Sequence, residues 1–146
     1  MASLKRSALA PKTFPKVSTI AGVTLKTARA GIKSPGRDDL LLVTLDRGTT
    51  VAGVFTRSAT ASAPVQWSRK VAASGKARAI LINSGNANTF TGGQGVADVS
   101  STAGMASRTA GCRPSDVLIA STGVIGEPLP VNRIQSALSR MQFSPP

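Results

Sequence analysis

The strongest constraint on the fold is a short, uninterrupted apolar run in the first third of the chain. Leu40–Leu45 reads Leu-Leu-Leu-Val-Thr-Leu and is bounded by Asp39 and Asp46. At this length and with this content of branched side chains, the run predicts a strand buried on both faces rather than a helix. Residues 77–82 and 117–120 are similarly apolar and predict two further strands. These runs place a sheet at the centre of the fold.

The remaining segments complete an alternating pattern of strands and helices. Residues 23–27 alternate apolar and polar side chains, which is typical of a half-buried strand. Residues 50–56 predict another strand, in a hairpin with Leu40–Leu45, because only a short turn at Arg47-Gly48 separates the two. The fold class is therefore α/β.

Two helices are predicted from apolar residues at steps of three and four. The first covers residues 96–110, with Gly111 as its C-cap, and the second covers 132–141, behind Pro128 and Pro130. The expected buried faces are Val96, Val99, Ala103, Ala106 and Ala110 in the first helix, and Ile134, Leu138 and Met141 in the second. Alanine dominates the first of these faces, so we expect that helix to pack closely against its neighbours.

Composition excludes several kinds of catalysis. The 146 residues include no His and no Tyr, so a Ser-His-Asp triad, a Cys-His pair and a His-ligated metal are ruled out. Cys112 is the only cysteine, which excludes an intrachain disulfide and a Cys-rich zinc site. No run approaches the roughly 18 apolar residues that cross a bilayer, and basic residues and prolines replace the apolar stretch of a signal peptide. We expect one soluble intracellular domain over residues 1–146, with no membrane partner.

The net charge of +12 is concentrated at the front of the chain, where residues 1–37 hold eight basic side chains and no acidic one. This segment is a nucleic-acid-binding arm, a targeting presequence, or a solvated face. The basic residues are Lys5, Arg6, Lys12, Lys16, Lys26, Arg29, Lys33 and Arg37. Pro11 and Pro15 disfavour the helix of a presequence, and the few scattered aromatic residues disfavour base stacking. We therefore favour the solvated face.

Two polar segments follow predicted strands. Residues 83–88, Asn-Ser-Gly-Asn-Ala-Asn, form either a loop that satisfies its own backbone or the lining of a catalytic pocket. Residues 122–126, Thr-Gly-Val-Ile-Gly, form either a plain turn or an oxyanion hole, in which a glycine N–H and a neighbouring hydroxyl bind one negative oxygen. Gly92-Gly-Gln-Gly95 lacks the lysine of a P-loop, and Cys112 has no His partner, so neither predicts a site.

Four stretches, taken together, resemble the N-terminal part of the ornithine acetyltransferase family, also called bifunctional glutamate N-acetyltransferases. They are Ala30-Gly-Ile-Lys33 with residues 38–42; Val51-Ala-Gly-Val-Phe-Thr56 with Ala63-Pro-Val65 and Trp67-Ser-Arg69; Ile82-Asn-Ser-Gly-Asn-Ala-Asn88 with Thr91-Gly92; and Ser121-Thr-Gly-Val-Ile-Gly126 with Pro128-Leu-Pro130. Each stretch is weak alone. Their order and spacing across residues 11–138 make the resemblance specific.

The resemblance implies a layered α/β sandwich with mixed sheets, built from an α and a β chain that a precursor forms by cutting itself before a threonine. That threonine, at the start of the β chain, takes the acetyl group from N2-acetylornithine and passes it to L-glutamate in arginine biosynthesis. Its own α-amine serves as base, so no histidine is needed. The matching oxyanion-hole residues here are Thr122, through its hydroxyl, and Gly123, through its N–H. No metal or cofactor is implied, although acetyl-CoA is a second acetyl donor for many members.

The resemblance ends near residue 141, and Phe143-Ser-Pro-Pro146 does not match the family's continuation. The nucleophilic threonine and most substrate-binding residues of the family are therefore not in these 146 residues. We expect the N-terminal portion of a larger two-chain enzyme, truncated before the cleavage site, that works in the cytoplasm, or in the mitochondrial matrix if the source is eukaryotic. The alternatives are a non-catalytic remnant acting as an interaction module and, less favoured, a basic nucleic-acid-binding domain.

Overall fold

A four-stranded sheet organises the described part of the chain. The computed structural model describes residues 8–13, 15–16 and 18–141. Its elements, in chain order, are β1 Val23–Ala28, β2 Leu40–Leu45, α1 Ala63–Ala72, β3 Ala79–Asn86, α2 Gly92–Ala110, a short 3-10 turn Pro114–Asp116, β4 Val117–Val124 and α3 Val131–Ser139.

The sheet is mixed, with strand order β1-β2-β3-β4. β1, β2 and β3 pair antiparallel, whereas β3 and β4 pair parallel with α2 as the crossover between them. A parallel pair needs such a crossover because its second strand must restart at the same end of the sheet. The mixed α/β class expected from the sequence is confirmed.

The core lies between one face of the sheet and the helices. Alternate residues of β2, β3 and β4 point to this side: Leu40 and Leu42 from β2, Ala79 and Leu81 from β3, and Val117 and Ile119 from β4. They share one apolar cluster with Val99, Ala103 and Ala106 of α2 and with Ile134, Ala137 and Leu138 of α3. The small side chains of α2 let its backbone approach the sheet closely, as the sequence predicts.

The predicted strand over residues 50–56 is wrong, as is its hairpin with β2. The only pairing of this segment within the described residues is an isolated bridge between Thr50 and Lys76. β2 has no free edge to offer, because β1 occupies one side and β3 the other. The segment instead runs as irregular chain at the surface, where Val54 is fully exposed.

The sequence analysis missed one helix and placed the start of another too late. α1 was not predicted: it is short, and its buried face is formed by Pro64, Ser68 and Val71, which gives little apolar periodicity. α2 begins at Gly92, four residues before the predicted start, so Val96 lies on its exposed side.

The predicted C-cap of α2 is confirmed, since Gly111 adopts the left-handed conformation with φ 63°. Ile134 and Leu138 of α3 are buried as expected, and Met141 is buried just beyond the helix.

The charged front of the chain is only partly visible. Lys12 and Lys16 are exposed, which agrees with a solvated face, whereas Lys5 and Arg6 lie outside the described residues, as does the 143–146 segment. None of the described helices combines the length and the hydrophobicity that crossing a membrane requires.

The side of β4 that does not pair with β3 is covered by α1. The Ser68 hydroxyl donates to the Ile119 carbonyl at 2.7 Å and accepts from the Ile119 N–H at 2.8 Å, while the Trp67 indole N–H donates to the Val117 carbonyl at 2.9 Å. Two helix side chains thus replace the neighbouring strand that an edge would otherwise expose. This contact joins segments about fifty residues apart in sequence.

We expect Ser68→Ala to lower the free energy of unfolding by about 1–3 kcal/mol, since it leaves a buried N–H and C=O of Ile119 without partners. Urea denaturation of the purified chain measures this. The control is Ser136→Ala, which removes an exposed hydroxyl from α3 and should change the value by less than about 0.5 kcal/mol. Equal stabilities for the two variants would contradict the assigned role of Ser68.

Candidate functional site

The two polar segments singled out in the sequence meet at the carboxyl ends of β3 and β4. The parallel register pairs Asn83 with Ser121, Ser84 with Thr122, Gly85 with Gly123 and Asn86 with Val124. Both segments were expected to be loops, but residues 83–86 are the last four of β3 and residues 122–124 are the last three of β4; only 87–88 and 125–126 lie beyond the strands. Sequence reasoning missed this because Asn and Gly are depleted in strands. The parallel pairing that begins in the apolar first half of each strand continues through these polar residues.

Three buried carboxamides hold this end of the sheet together. The Asn83 amide donates to the Asn86 carbonyl at 2.8 Å, and the Asn86 amide donates to the Glu127 and Pro128 carbonyls at 3.0 and 3.1 Å. The Asn88 amide donates to the Gly95 carbonyl at 3.0 Å, and its own backbone N–H donates to Asn86 Oδ1 at 2.7 Å. The segment therefore does satisfy backbone groups through Asn side chains, as one of its two interpretations held.

The network also reaches the second polar segment. The Ser121 hydroxyl donates to Asn83 Oδ1 at 2.6 Å. The turn after β4 is tied to the chain after β3, because the Ala87 N–H donates to the Val124 carbonyl at 2.8 Å and the Gly126 N–H donates to the Thr89 carbonyl at 2.9 Å. Residues 83–89 thus form the support on which residues 121–126 rest.

Thr122 carries a hydroxyl that is exposed and makes no hydrogen bond with any residue that the structure describes. Its side chain lies on the face of the sheet opposite the helices, because it is one residue away from Ser121, whose hydroxyl bonds to the buried Asn83. The hydroxyl is therefore available to a group outside the described chain.

The backbone N–H of Gly123 also points outward. N–H and C=O groups of alternate residues in a strand face the same side. The Ile119 N–H and C=O face α1, on the side of β4 away from β3, and the Val124 carbonyl faces β3. Gly123 lies four residues after Ile119, so its N–H points away from β3. Thr122 and Gly123 thus present, at the end of an edge strand, two adjacent donors that have no partner within the described part of the chain.

Gly123 is a glycine because nothing else fits. Its φ of 136° is one that other residues rarely adopt, and a Cβ there would lie 2.2 Å from the carbonyl carbon of Gly85. Its partner Gly85 has a φ of 122° and would place a Cβ 2.9 Å from that of Lys33. The two glycines allow the backbones of β3, β4 and residues 32–33 to stack closely.

The other sequence candidates are structural. A Cβ on Gly95 would lie 1.9 Å from the Thr91 hydroxyl oxygen, so this glycine makes room for the Thr91–Asn88 hydrogen bond.

Cys112 is half-buried and packs against the core. The pKa of its thiol is raised, mainly by burial and then by the charge of Asp116. A raised pKa leaves little thiolate, which agrees with an inert residue. Among the described residues, no three His, Cys, Asp or Glu side chains lie close enough to bind a metal ion.

Solved structures share this arrangement of elements. An ornithine acetyltransferase from Mycobacterium tuberculosis, determined as a complex with ornithine, superposes with a TM-score of 0.78 at 36% identity, over 82% of this chain and 65% of that one. The arginine biosynthesis bifunctional protein ArgJ of Bacillus halodurans superposes with a TM-score of 0.77 at 30% identity, over 82% of this chain and 63% of that one. The fold is therefore that of the ornithine acetyltransferase class.

Sequence comparison agrees with the structural one. The arginine biosynthesis bifunctional protein ArgJ of Bradyrhizobium diazoefficiens is 52% identical over 135 residues, and that of Nitrobacter winogradskyi is 51% identical over 139 residues. Each alignment covers 92% of this chain and 33% of the relative, so the chain spans about a third of the length of the curated relatives it matches. The ArgJ family model matches residues 24–144. The chain belongs to the ArgJ family.

We expect Gly123→Ala to lower the free energy of unfolding by about 1–3 kcal/mol, the usual cost of one strained residue, with a further loss from the contact with Gly85. Gly93→Ala is the matched control, because a Cβ there meets nothing within 4 Å and alanine favours the helix. Thermal denaturation should therefore give a clearly lower Tm for Gly123→Ala and an equal or higher Tm for Gly93→Ala. A Gly123→Ala variant as stable as the parent would show that β3 and β4 are not so closely packed.

Proposed function

We propose that this chain supplies the oxyanion hole of an acetyltransferase in arginine biosynthesis, which moves an acetyl group from N2-acetylornithine to L-glutamate. Membership of the ArgJ family and the ornithine-bound structural neighbour support the reaction class. The observation that carries the assignment is the pair of free donors, the Thr122 hydroxyl and the Gly123 N–H, at the end of β4.

The chemistry requires such donors. Attack of a threonine hydroxyl on the acetyl carbonyl of N2-acetylornithine forms a tetrahedral intermediate whose oxygen carries a negative charge. The intermediate collapses by expelling ornithine as an amine, which takes up a proton, and leaves the acetyl group as an ester on the threonine. The amine of glutamate then attacks the ester through a second intermediate of the same kind, which collapses to acetylglutamate and releases the threonine, whose oxygen takes up the proton that the amine loses. A hydroxyl and a backbone N–H directed at the oxygen stabilise both intermediates more than the substrates.

The remaining catalytic groups are proposed to come from the family's downstream region. The nucleophile is the N-terminal threonine of a β chain formed by self-cleavage, and its α-amine acts as the base, which suits a chain without His. The working enzyme is then a hetero-oligomer of α and β chains in the cytoplasm. It needs no bound cofactor or metal, and acetyl-CoA is a second possible donor of the acetyl group.

The decisive test uses a hybrid in which residues 1–141 precede the downstream two-thirds of the Bradyrhizobium relative. Thr122→Val should lower kcat by roughly 100- to 1,000-fold, the usual loss for one oxyanion-hole donor, whereas Thr122→Ser keeps the hydroxyl and should retain most activity. Folding should change little, because the hydroxyl is exposed. Self-cleavage acts at a different carbonyl and can persist in Thr122→Val.

The matched control for this test is Thr24→Val, which makes the same change on an exposed position of β1 and should leave kcat unaltered. Acetyl transfer is followed as acetylglutamate formed from acetylornithine. A folded Thr122→Val hybrid that turns over at the parent rate would exclude the oxyanion role and leave residues 121–126 as a structural turn only.

The 146 residues by themselves should transfer no acetyl group, since neither the family's nucleophilic threonine nor a His or activated Cys is present among them. Incubation with radiolabelled acetylornithine, followed by denaturation and mass measurement, checks this. Acetyl label retained on the denatured chain, or acetylglutamate above the level without protein, would overturn the expectation.

A further inference from the structure

One part-buried hydrogen bond lies immediately before the Thr122 hydroxyl and the Gly123 N–H. The Ser121 hydroxyl donates to Asn83 Oδ1 at 2.6 Å, which is short for a bond between neutral groups. Asn83 is 4% exposed, and its other side-chain atom, Nδ2, donates to the Asn86 carbonyl at 2.8 Å. Both ends of this carboxamide are therefore engaged, and its orientation is fixed.

The position of this bond relative to the glycine pair is informative. Gly85 and Gly123 face each other in the register, both with positive φ and neither with a side chain to pack. Glycine itself restricts the backbone least, so the conformation of this pair depends on the residues around it. Asn83 holds Ser121, two residues before Gly123, and also Asn86, whose partner in the register is Val124 just after Gly123. The carboxamide thus fixes the backbone on both sides of the glycine pair.

The direction of the Gly123 N–H is set by the peptide plane between residues 122 and 123. The Cα of Thr122, which carries the side chain with the hydroxyl, lies in the same plane. Ser121 is the residue that precedes this plane, and its side chain is held by Asn83. Its side chain points into the core while that of Thr122 points out, so Asn83 and Ser121 cannot touch a group bound by Thr122. Their effect must be transmitted through the backbone.

We propose that Asn83 and Ser121 are a positioning pair that holds the Thr122 hydroxyl and the Gly123 N–H in the orientation needed by the oxyanion. This inference rests on the proposed function and adds to it residues that act without contacting substrate. When a hydrogen-bond donor is displaced by a fraction of an ångström, the substrate still binds. The donor, however, no longer fits the negative oxygen of the transition state. Loss of the bond therefore lowers kcat and leaves KM unchanged.

The experiment uses the same hybrid and compares Ser121→Ala with Ser68→Ala. Both variants remove a serine hydroxyl that hydrogen-bonds at β4, buried at Ser68 and part-buried at Ser121, but Ser68 acts on Ile119 in the regular part of the strand. Ser121→Ala should lower kcat about 10- to 100-fold at constant KM, the range expected when a catalytic group is displaced by up to about 1 Å. Ser121→Thr, which keeps the hydroxyl, should restore most of the loss, and Ser68→Ala should leave kcat unchanged.

A double-mutant cycle separates positioning from general destabilisation. If Ser121 acts through Thr122, then Ser121→Ala should cost much less in a Thr122→Val background than in the parent. Independent structural damage would instead multiply the two losses. A kcat for Ser121→Ala within twofold of that for Ser68→Ala, or losses that multiply fully, would overturn the positioning role while leaving the oxyanion assignment intact. The single variant Thr122→Val tests the proposed function separately. A loss of kcat of roughly 100- to 1,000-fold supports the oxyanion assignment, whereas an unchanged kcat contradicts it.

A second measurement keeps the inference testable if a hybrid variant does not fold. In the ¹⁵N-labelled 146-residue chain, Ser121→Ala should shift the amide resonance of Gly123 more than Ser68→Ala does, because only the former frees the adjoining peptide plane. Equal shifts from the two variants would contradict the positioning role.

Discussion

The parallel pairing of β3 with β4 joins the core of this structure to its candidate site and fixes the position of both. Its first half is apolar: Ala79 and Leu81 lie beside Val117 and Ile119, and α2 and α3 cover them to form the core. The second half continues in the same register with polar residues and glycines. The core therefore fixes where residues 121–124 lie, and a strand end built on a rigid sheet positions donors better than a free loop does.

Continuing a sheet with polar residues is costly unless their buried groups are satisfied, because an unpaired buried donor or acceptor costs about 1–3 kcal/mol. The carboxamides of Asn83, Asn86 and Asn88 meet this requirement. Just before β2, the carboxylate of Asp39 accepts from the backbone N–H groups of Ala30 and Ile32 at 2.7 and 2.6 Å. These bonds hold the segment that leads to residues 32–33, which lie against Gly85.

The sequence predicts those parts of the fold whose signal is local. Leu40–Leu45 and residues 117–120 are short apolar runs with branched side chains and form strands as predicted, and the alanine-rich helix ends at its predicted C-cap, Gly111. The hairpin at residues 50–56 was wrong because the sequence does not show that β1 already occupies that edge of β2. α1 was missed because its buried face depends on Ser68, whose partner Ile119 is distant in sequence. Likewise, nothing in the sequence shows that Asn83 contacts Ser121, because only the parallel register brings the two residues together. The assignment of Thr122 and Gly123 came from family resemblance, and the structure adds that neither donor has a partner among the residues it describes.

The Gly123 N–H points away from β3, whereas the N–H groups of Thr122 and Val124 are held in the sheet. Amide hydrogen exchange of the 146-residue chain, followed residue by residue by NMR, distinguishes the two environments. We expect slow exchange at Thr122 and Val124 and exchange at Gly123 faster by about 100-fold or more, since an amide without a strand hydrogen bond lacks that protection. If Gly123 were as well protected as its two neighbours, its N–H would be engaged in the sheet and could not bind an oxyanion.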